Sequence, residues 1–246
     1  MAIEFKKVSF SGHTPEIWRG ECKMLPGGFQ PKNTIAAGTV LQRGTLCYVD
    51  YSDMSAAVIK TATVISGGST SKPRIAKGHL FAVGDVVAKV GKTDKSVTVS
   101  SIDESSSDYD VLNLSAAITG LAANDVLVES TEYGYVDATE GETGALKIVA
   151  SSPDEGQIAL ASVTPYLGEK TLAANDYVKL QSALPLYTPN MVVGAVKEFN
   201  GKGLPTIDAA YEAVVLKPSL GYPVLDEWLE GGVCLKSNPN ILFIKQ

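Results

Sequence analysis

A short pattern that occurs four times in this chain limits the folds that the chain can adopt. Each copy has an apolar residue, two small residues, a Gly or Asn, a Thr or Asp, and then the start of a strand-like segment. Gly and Asn tolerate a positive φ angle, and Asp and Thr can hydrogen-bond the nearby backbone. The pattern therefore predicts a tight corner that starts a strand, and not a loop that holds a ligand. The copies lie at 35–41, 81–87, 121–127 and 172–178, with the corner residues Gly38, Thr39, Gly84, Asp85, Asn124, Asp125, Asn175 and Asp176.

The third and fourth copies share the run Leu-Ala-Ala-Asn-Asp, at 121–125 and 172–176. One explanation is a duplicated β module, and another is repeated use of the same corner within one large sandwich. Chance is a third explanation, because Leu, Ala and Asn are common residues. The sequence leaves these three explanations open.

The segments between turns are short and rich in Val, Ile, Thr and Tyr, which is typical of sheet proteins. We therefore predict a mostly β fold, namely an antiparallel β-sandwich or small β-barrel modules with long loops and one or two short helices. The segment 207–216 fits a helix or a strand, and its alternation favours the strand. The segment 225–229, which is followed by Gly231 and Gly232, is the better helix candidate, and 241–244 is predicted to be a strand.

Three regions are predicted from the distribution of these segments. Residues 1–34 form an irregular N-terminal arm that could dock onto a partner, 35–150 form a β domain, and 151–246 form a second β region with a short C-terminal helix. Large aromatic side chains in irregular segments usually cover the chain's own body or a partner. On this basis Trp18 and Phe29 are interface candidates, and Trp228, the large aromatic residue of the 225–229 helix candidate, is a third.

Charge and hydropathy exclude several classes of function. The 21 basic and 27 acidic residues give a net charge of −6, without the basic face that general nucleic-acid binding needs. No apolar run approaches the roughly 20 residues of a transmembrane helix, and the N-terminus lacks the apolar stretch of a secretory signal. Cys22, Cys47 and Cys234 lack the spacing of a zinc site or a disulfide framework, so buried thiols are expected.

Residues that could carry catalysis are few. His13 and His79 are the only histidines, and neither lies near a Gly-x-Ser-x-Gly motif. The acids at 50–53 and 108–110 lack the rest of a calcium loop, and the glycines at 67–68 lack the ending of a phosphate loop. A catalytic pair of acids of the glycosidase type, which would come together only in the folded chain, stays an open alternative. We predict no catalytic, cofactor-binding or metal-binding residue, no cofactor, and no enzymatic activity.

Several of these segments also resemble a known group of proteins. The corners and strands at 36–41 and 83–90 are similar to those of tailed-phage capsid decoration and head fiber proteins, as is the segment 190–196. The C-terminal part resembles head fiber proteins of phages that infect Bacteroides-type hosts, through 207–216, Trp228 and 238–241.

The resemblance implies a virion structural protein on the outside of the capsid, assembled in the host cytoplasm and acting by oligomerisation and attachment. Its partners would be its own copies, as a homotrimer, the major capsid protein, and in some cases a host surface glycan. A trimer would also cover sheet edges that are hazardous when unpaired. The alternative function is a carbohydrate- or receptor-binding β module without catalysis, which would need exposed aromatic side chains. Candidates for these are Trp18, Tyr109, Tyr133, Tyr135 and Trp228.

Overall fold

A computed structural model describes residues 17–25, 28–90, 96–130, 136–137, 145–148, 156–159, 186–199 and 206–245. About half of the described residues lie in strands and very few in helical turns, which confirms the predicted mostly β fold class. The strands are β1 (Trp18–Met24), β2 (Gln30–Pro31), β3 (Thr39–Leu41), β4 (Leu46–Asp50), β5 (Ser55–Val58), β6 (Thr61–Ile65), β7 (Arg74–Ala76), β8 (Val86–Lys89), β9 (Val97–Asp103), β10 (Tyr109–Leu114), β11 (Val126–Glu129), β12 (Val136–Asp137), β13 (Ala145–Ile148), β14 (Gly156–Ala159), β15 (Met191–Val193), β16 (Lys197–Phe199), β17 (Ala209–Leu216), β18 (Leu229–Glu230), β19 (Cys234–Leu235) and β20 (Asn238–Ile244).

Six consecutive strands of the middle of the chain form a closed barrel in the order β10-β7-β6-β11-β8-β9. All of its pairs are antiparallel. Along β10 every second residue is buried, as expected for a strand with one face toward a core. The barrel interior contains Val64, Ile75, Val87, Val99, Leu112 and Leu127.

A nine-stranded sheet holds most of the remaining strands, in the order β18-β19-β20-β17-β15-β4-β5-β2, with β1 also paired to β17. Two of its pairs, β17 with β20 and β2 with β5, are parallel, which the antiparallel prediction did not include. The chain makes the first of these by passing through the β18–β19 hairpin before it returns beside β17. Smaller sheets pair β16 with β3 and join β12, β13 and β14.

The large sheet takes strands from all three of the predicted regions 1–34, 35–150 and 151–246, whereas the barrel lies wholly inside the second. Strand pairing therefore crosses the predicted boundaries. The barrel also packs on the sheet, because Val128 of β11 belongs to one buried cluster with Val215, Trp228 and Ile241. Ile59 and Lys60 connect β5 of the sheet directly to β6 of the barrel.

Helical structure in the described residues is limited to two 3₁₀ turns, Lys217–Ser219 and Asp226–Trp228. The second lies where the sequence predicts a helix of a turn or two, and the strand β18 follows it at once. The segment 207–216 contains strand β17, and 241–244 lies in β20, as predicted. Among the described residues, no helix has the length and apolar character that crossing a bilayer requires.

Candidate functional site

Three of the four predicted corners lie in the described residues, and they share one backbone geometry. Gly38, Gly84 and Asn124 have φ angles of 89°, 94° and 71°, which is the region that the third residue of a type II turn requires. The backbone N–H of the Thr or Asp closes each turn by donating to the carbonyl oxygen of the first small residue, as from Asp85 to Ala82, at 3.1–3.2 Å. Strands β3, β8 and β11 begin directly at or after these turns. The fourth copy, with Asn175 and Asp176, lies outside the described residues.

The aspartates of two corners make the same pair of side-chain contacts. Asp85 Oδ2 accepts the Ala82 N–H at 2.6 Å, and Asp125 Oδ2 accepts the Ala122 N–H at 2.6 Å. Each carboxylate also accepts a lysine ammonium. The lysine is Lys60 at Asp85, and it is Lys89 at Asp125.

The Asp85 corner belongs to a buried ionic cluster where the barrel meets the large sheet. The Lys60 side chain is 0% exposed, and its Nζ lies 2.8 and 2.6 Å from the two oxygens of Asp85 and 3.4 Å from Glu129 Oε1. Asn33 donates to Glu129 Oε2 at 2.9 Å and is itself held by the backbone of Val58. Burial raises the pKa of Glu129, and the Lys60 charge opposes that effect.

A cleft of about 1010 Å³ lies beside two of the corners. Barrel residues line one part of it, and segments next to the large sheet, among them 42–43 and 219–222, line another. The corner residues 36–40 and 81–83 form part of its wall. The corners thus border a large cleft, a position that the sequence does not predict.

Lys77, His79, Glu104 and Asp110 meet in this cleft. His79 Nδ1 accepts the Phe81 N–H at 3.1 Å, so the ring proton is on Nε2, which lies 3.5 Å from Asp110 Oδ2. Asp110 Oδ1 accepts Lys77 Nζ at 2.6 Å. Burial lowers the pKa of His79, which favours the neutral ring. Both ring nitrogens face groups of the chain itself, so the imidazole is not placed to activate a nucleophile.

Two apolar side chains project from the corners at the cleft. Val40 is 42% exposed and Val83 is 60% exposed, and both line the cleft wall. Asp110 thus contacts both Lys77 and His79, while Val40 and Val83 present apolar surface outward. This combination suits packing against another surface better than it suits chemistry on a small molecule.

The predicted interface aromatics have different environments. Phe29 is 1% exposed and bridges to Ile207, and Trp228 is 4% exposed, so both are core residues and the interface prediction is wrong for them. The reason is that strand pairing draws their segments across the chain's own core. Trp18 is half-buried, and the Arg43 guanidinium lies 5.2 Å from its ring centroid. Of the other aromatic candidates, Tyr109 is covered by Arg74 at 4.3 Å, and Tyr133 and Tyr135 lie outside the described residues, as does His13.

The remaining sequence candidates also have internal roles. Asp50 and Asp53, which have part of a calcium-loop spacing, accept Lys32 at 2.7 and 3.2 Å, and these contacts lower the pKa of Asp50 to about 2. No group of three or more potential metal ligands occurs within the described ranges. Cys22, Cys47 and Cys234 are free thiols, of which Cys47 is buried.

Lys60 and Glu129 were not singled out from the sequence. One usable indication was present for Lys60, which interrupts an otherwise apolar run at 56–59 with a single charge. A charged residue in such a position is buried only when it is paired. Nothing comparable marks Glu129, which ends an ordinary strand.

Comparison with protein-family models, with curated proteins and with solved structures finds no match to this chain.

Proposed function

We propose that this chain is a structural protein of a phage virion, carried on the outside of the capsid as a head fiber or decoration protein. It acts by binding its own copies and the capsid, without catalysis. The resemblance of the corner and strand segments to those proteins supports this function. The observation that carries the non-catalytic part is the cleft, because its Asp110 carboxylate contacts both Lys77 and His79, while Val40 and Val83 of its wall are exposed.

The corners are suited to protein contact. Val83 lies between the buried Ala82 and Asp85, and Val40 lies in β3 beside the buried Leu41, so the positions of both are well determined. Burying them against a partner gains the hydrophobic free energy of about 25 cal/mol per Å² of apolar surface, with little loss of backbone freedom. Preorganised apolar contacts of this kind favour assembly.

Edge-strand addition has less support as the mode of oligomerisation. Strand β1 pairs with β17 and with no other described strand, yet Arg19, Glu21 and Lys23 alternate along it. Charged side chains on an edge strand oppose pairing with another chain. We therefore assign self-association to the corner surface and not to this edge.

A glycan-binding module is the weaker candidate. Such a site needs an exposed aromatic ring, whereas Trp228 is in the core and guanidinium groups cover Trp18 and Tyr109. The aromatic ring that is exposed in the described part of the chain is Tyr51, at 57%, a single ring that packs edge-on against Phe29 with 6.2 Å between the centroids.

The test measures the mass of the native assembly and the co-sedimentation of the purified chain with capsids that lack it. We expect an oligomer and stoichiometric capsid binding. The variants Val40→Glu and Val83→Glu should lose both, because each would bury a charge in the contact. Val196→Glu is the matched control, because Val196 is 54% exposed but does not line the cleft. A monomer that does not bind capsids would contradict the proposal.

A further inference from the structure

The cluster of Lys60, Asp85 and Glu129 combines an amine, a carboxyl group that it can attack, and a second carboxyl group beside the amine. Their side chains are 0%, 4% and 8% exposed, so water has almost no access to any of them. Two carboxylates and one ammonium are an expensive set of charges to bury. Condensation of the amine with one carboxylate would remove two of these charges.

We infer that Lys60 and Asp85 form an intramolecular isopeptide bond between Nζ and Cγ, with Glu129 carrying the proton. The bond would tie the segment that enters β6 to the corner that starts β8, at the place where the barrel meets the large sheet. It needs no oxidant, metal or second protein.

The contacts place the reacting atoms within reach. Lys60 Nζ lies 2.8 Å from Asp85 Oδ1 and 2.6 Å from Oδ2. A nitrogen this close to both oxygens lies within the roughly 3–3.5 Å of the carboxyl carbon that characterises a near-attack arrangement. The Ala82 N–H donates to Oδ2 at 2.6 Å, so it can stabilise the negative charge that Oδ2 gains when the carbon becomes tetrahedral.

The proton transfers balance without an external reagent. One proton of the Lys60 ammonium passes to Asp85 Oδ1, which leaves a neutral amine whose lone pair attacks Cγ. Glu129 Oε1, which lies 3.4 Å from Nζ, takes a second proton and delivers it to Oδ1. The Cγ–Oδ1 bond then breaks and water leaves, while Oδ2 returns to a carbonyl oxygen, the amide keeps one N–H, and Glu129 is again a carboxylate.

The surroundings of Glu129 fit this role. Burial raises its pKa, so its carboxylate holds a proton more readily than an exposed one does. Asn33 binds Oε2 and leaves Oε1 toward Lys60, and the Val58 backbone fixes the Asn33 amide from both sides. Asn33 is therefore a positioning residue for the proton carrier.

The chain contains its own matched control in Lys89 and Asp125. Their contact is 2.5 Å long and the corner is of the same type, but the side chains are 15% and 21% exposed. Lys89 instead makes its further bond to the Gly120 carbonyl at 3.1 Å. Water access leaves this pair as an ordinary ion pair.

The experiment is the intact mass of the full chain after denaturation, with allowance for removal of Met1. We expect a mass below the sequence mass by one water, about 18 Da, because the lysine amine displaces the carboxyl hydroxyl. Proteolysis should yield one branched peptide that joins the segments containing Lys60 and Asp85. Lys60→Arg and Glu129→Gln should have the full sequence mass, and Lys89→Arg should keep the loss of water.

The mass of the wild-type chain shows whether the bond forms, even where a variant fails to fold. A wild-type chain at its full sequence mass after prolonged incubation would overturn the bond. A loss of water that persists in Lys60→Arg, or that peptide mapping places elsewhere, would overturn it equally. Complete bond formation at an unchanged rate in Glu129→Gln would overturn the role of Glu129.

Discussion

The Asp85 and Asp125 corners have the same turn and the same aspartate contacts, but they lie in different surroundings. Each aspartate accepts an Ala N–H at 2.6 Å and a lysine ammonium. At Asp85 the lysine is fully enclosed between barrel and sheet and meets a second carboxylate, whereas at Asp125 it stays in contact with solvent. The same local motif thus stabilises only a turn at Asp125, whereas at Asp85 it also forms the centre of a buried charge cluster.

The largest difference between the two corners should appear when each lysine is removed. Lys60→Met leaves Asp85 and Glu129 buried without a cation, so we expect a loss of about 3–5 kcal/mol in the free energy of unfolding relative to the chain in which the Lys60 amine is still unreacted. Lys89→Met should cost about 0–1 kcal/mol, because solvent can replace the ammonium there. Urea unfolding of the two variants measures the difference. Equal losses would mean that burial does not distinguish the corners.

Substitutions of the residue with positive φ test whether the turns are equivalent. Ala at Gly84 would meet no atom within 4 Å, so its cost is conformational, about 1–2 kcal/mol. Asn124→Gly should change stability by no more than about 0.5 kcal/mol, since Asn already tolerates this conformation. Thermal unfolding of both variants measures the two losses of stability. Gly38→Ala tests a third corner, where the added Cβ would also meet no atom within 4 Å. A loss well above that range at Gly84 alone would indicate that its turn carries additional strain.

The smallest expected effect is a pH dependence confined to the buried corner. Because the pKa of Glu129 is raised in the folded chain, the folded state binds more protons than the unfolded state above pH 4.5. The stability contributed by Glu129 is therefore complete below its unfolded pKa and is lost as pH rises through its folded pKa.

Glu129→Gln removes this dependence. The slope of unfolding free energy against pH should change by less than the single-proton limit of about 1.4 kcal/mol per pH unit. Urea unfolding at a series of pH values measures it, with Lys89→Met as the control that keeps the wild-type slope. An unchanged slope in Glu129→Gln would mean that this carboxyl group titrates alike in both states.

The difference between the corners also indicates which parts of the fold were predictable. The strands β8 and β11 follow from short β-prone segments after a Gly or Asn turn, because that information is local. The sequence predicts a sandwich or small barrel modules but does not choose between them, since closure of the barrel depends on the pairing of β9 with β10 and β8. The parallel pairing of β17 with β20 could not be predicted either, because the sequence of a strand does not determine whether its neighbour runs parallel or antiparallel to it.

The site shows the same division. Their position in the pattern predicts that Asp85 and Asp125 are corner residues. Nothing in the segments 81–85 and 121–125 distinguishes a buried aspartate from a partly exposed one. Glu129 joins Lys60 only because β11 lies beside β6 in the barrel. Phe29, in an irregular segment, and Trp228, in a short helix candidate, are predicted to be interface residues, but long-range packing places both in the core.

The sequence alone determined where the chain turns and where strands begin, because a positive φ angle and β propensity are properties of single residues and their immediate neighbours. Only the tertiary structure decided which of two equivalent aspartates is removed from water, and which acid joins its lysine. The physical reason is that burial and charge pairing depend on which distant strands pack together. Those properties belong to the assembled barrel and sheet and not to any one segment.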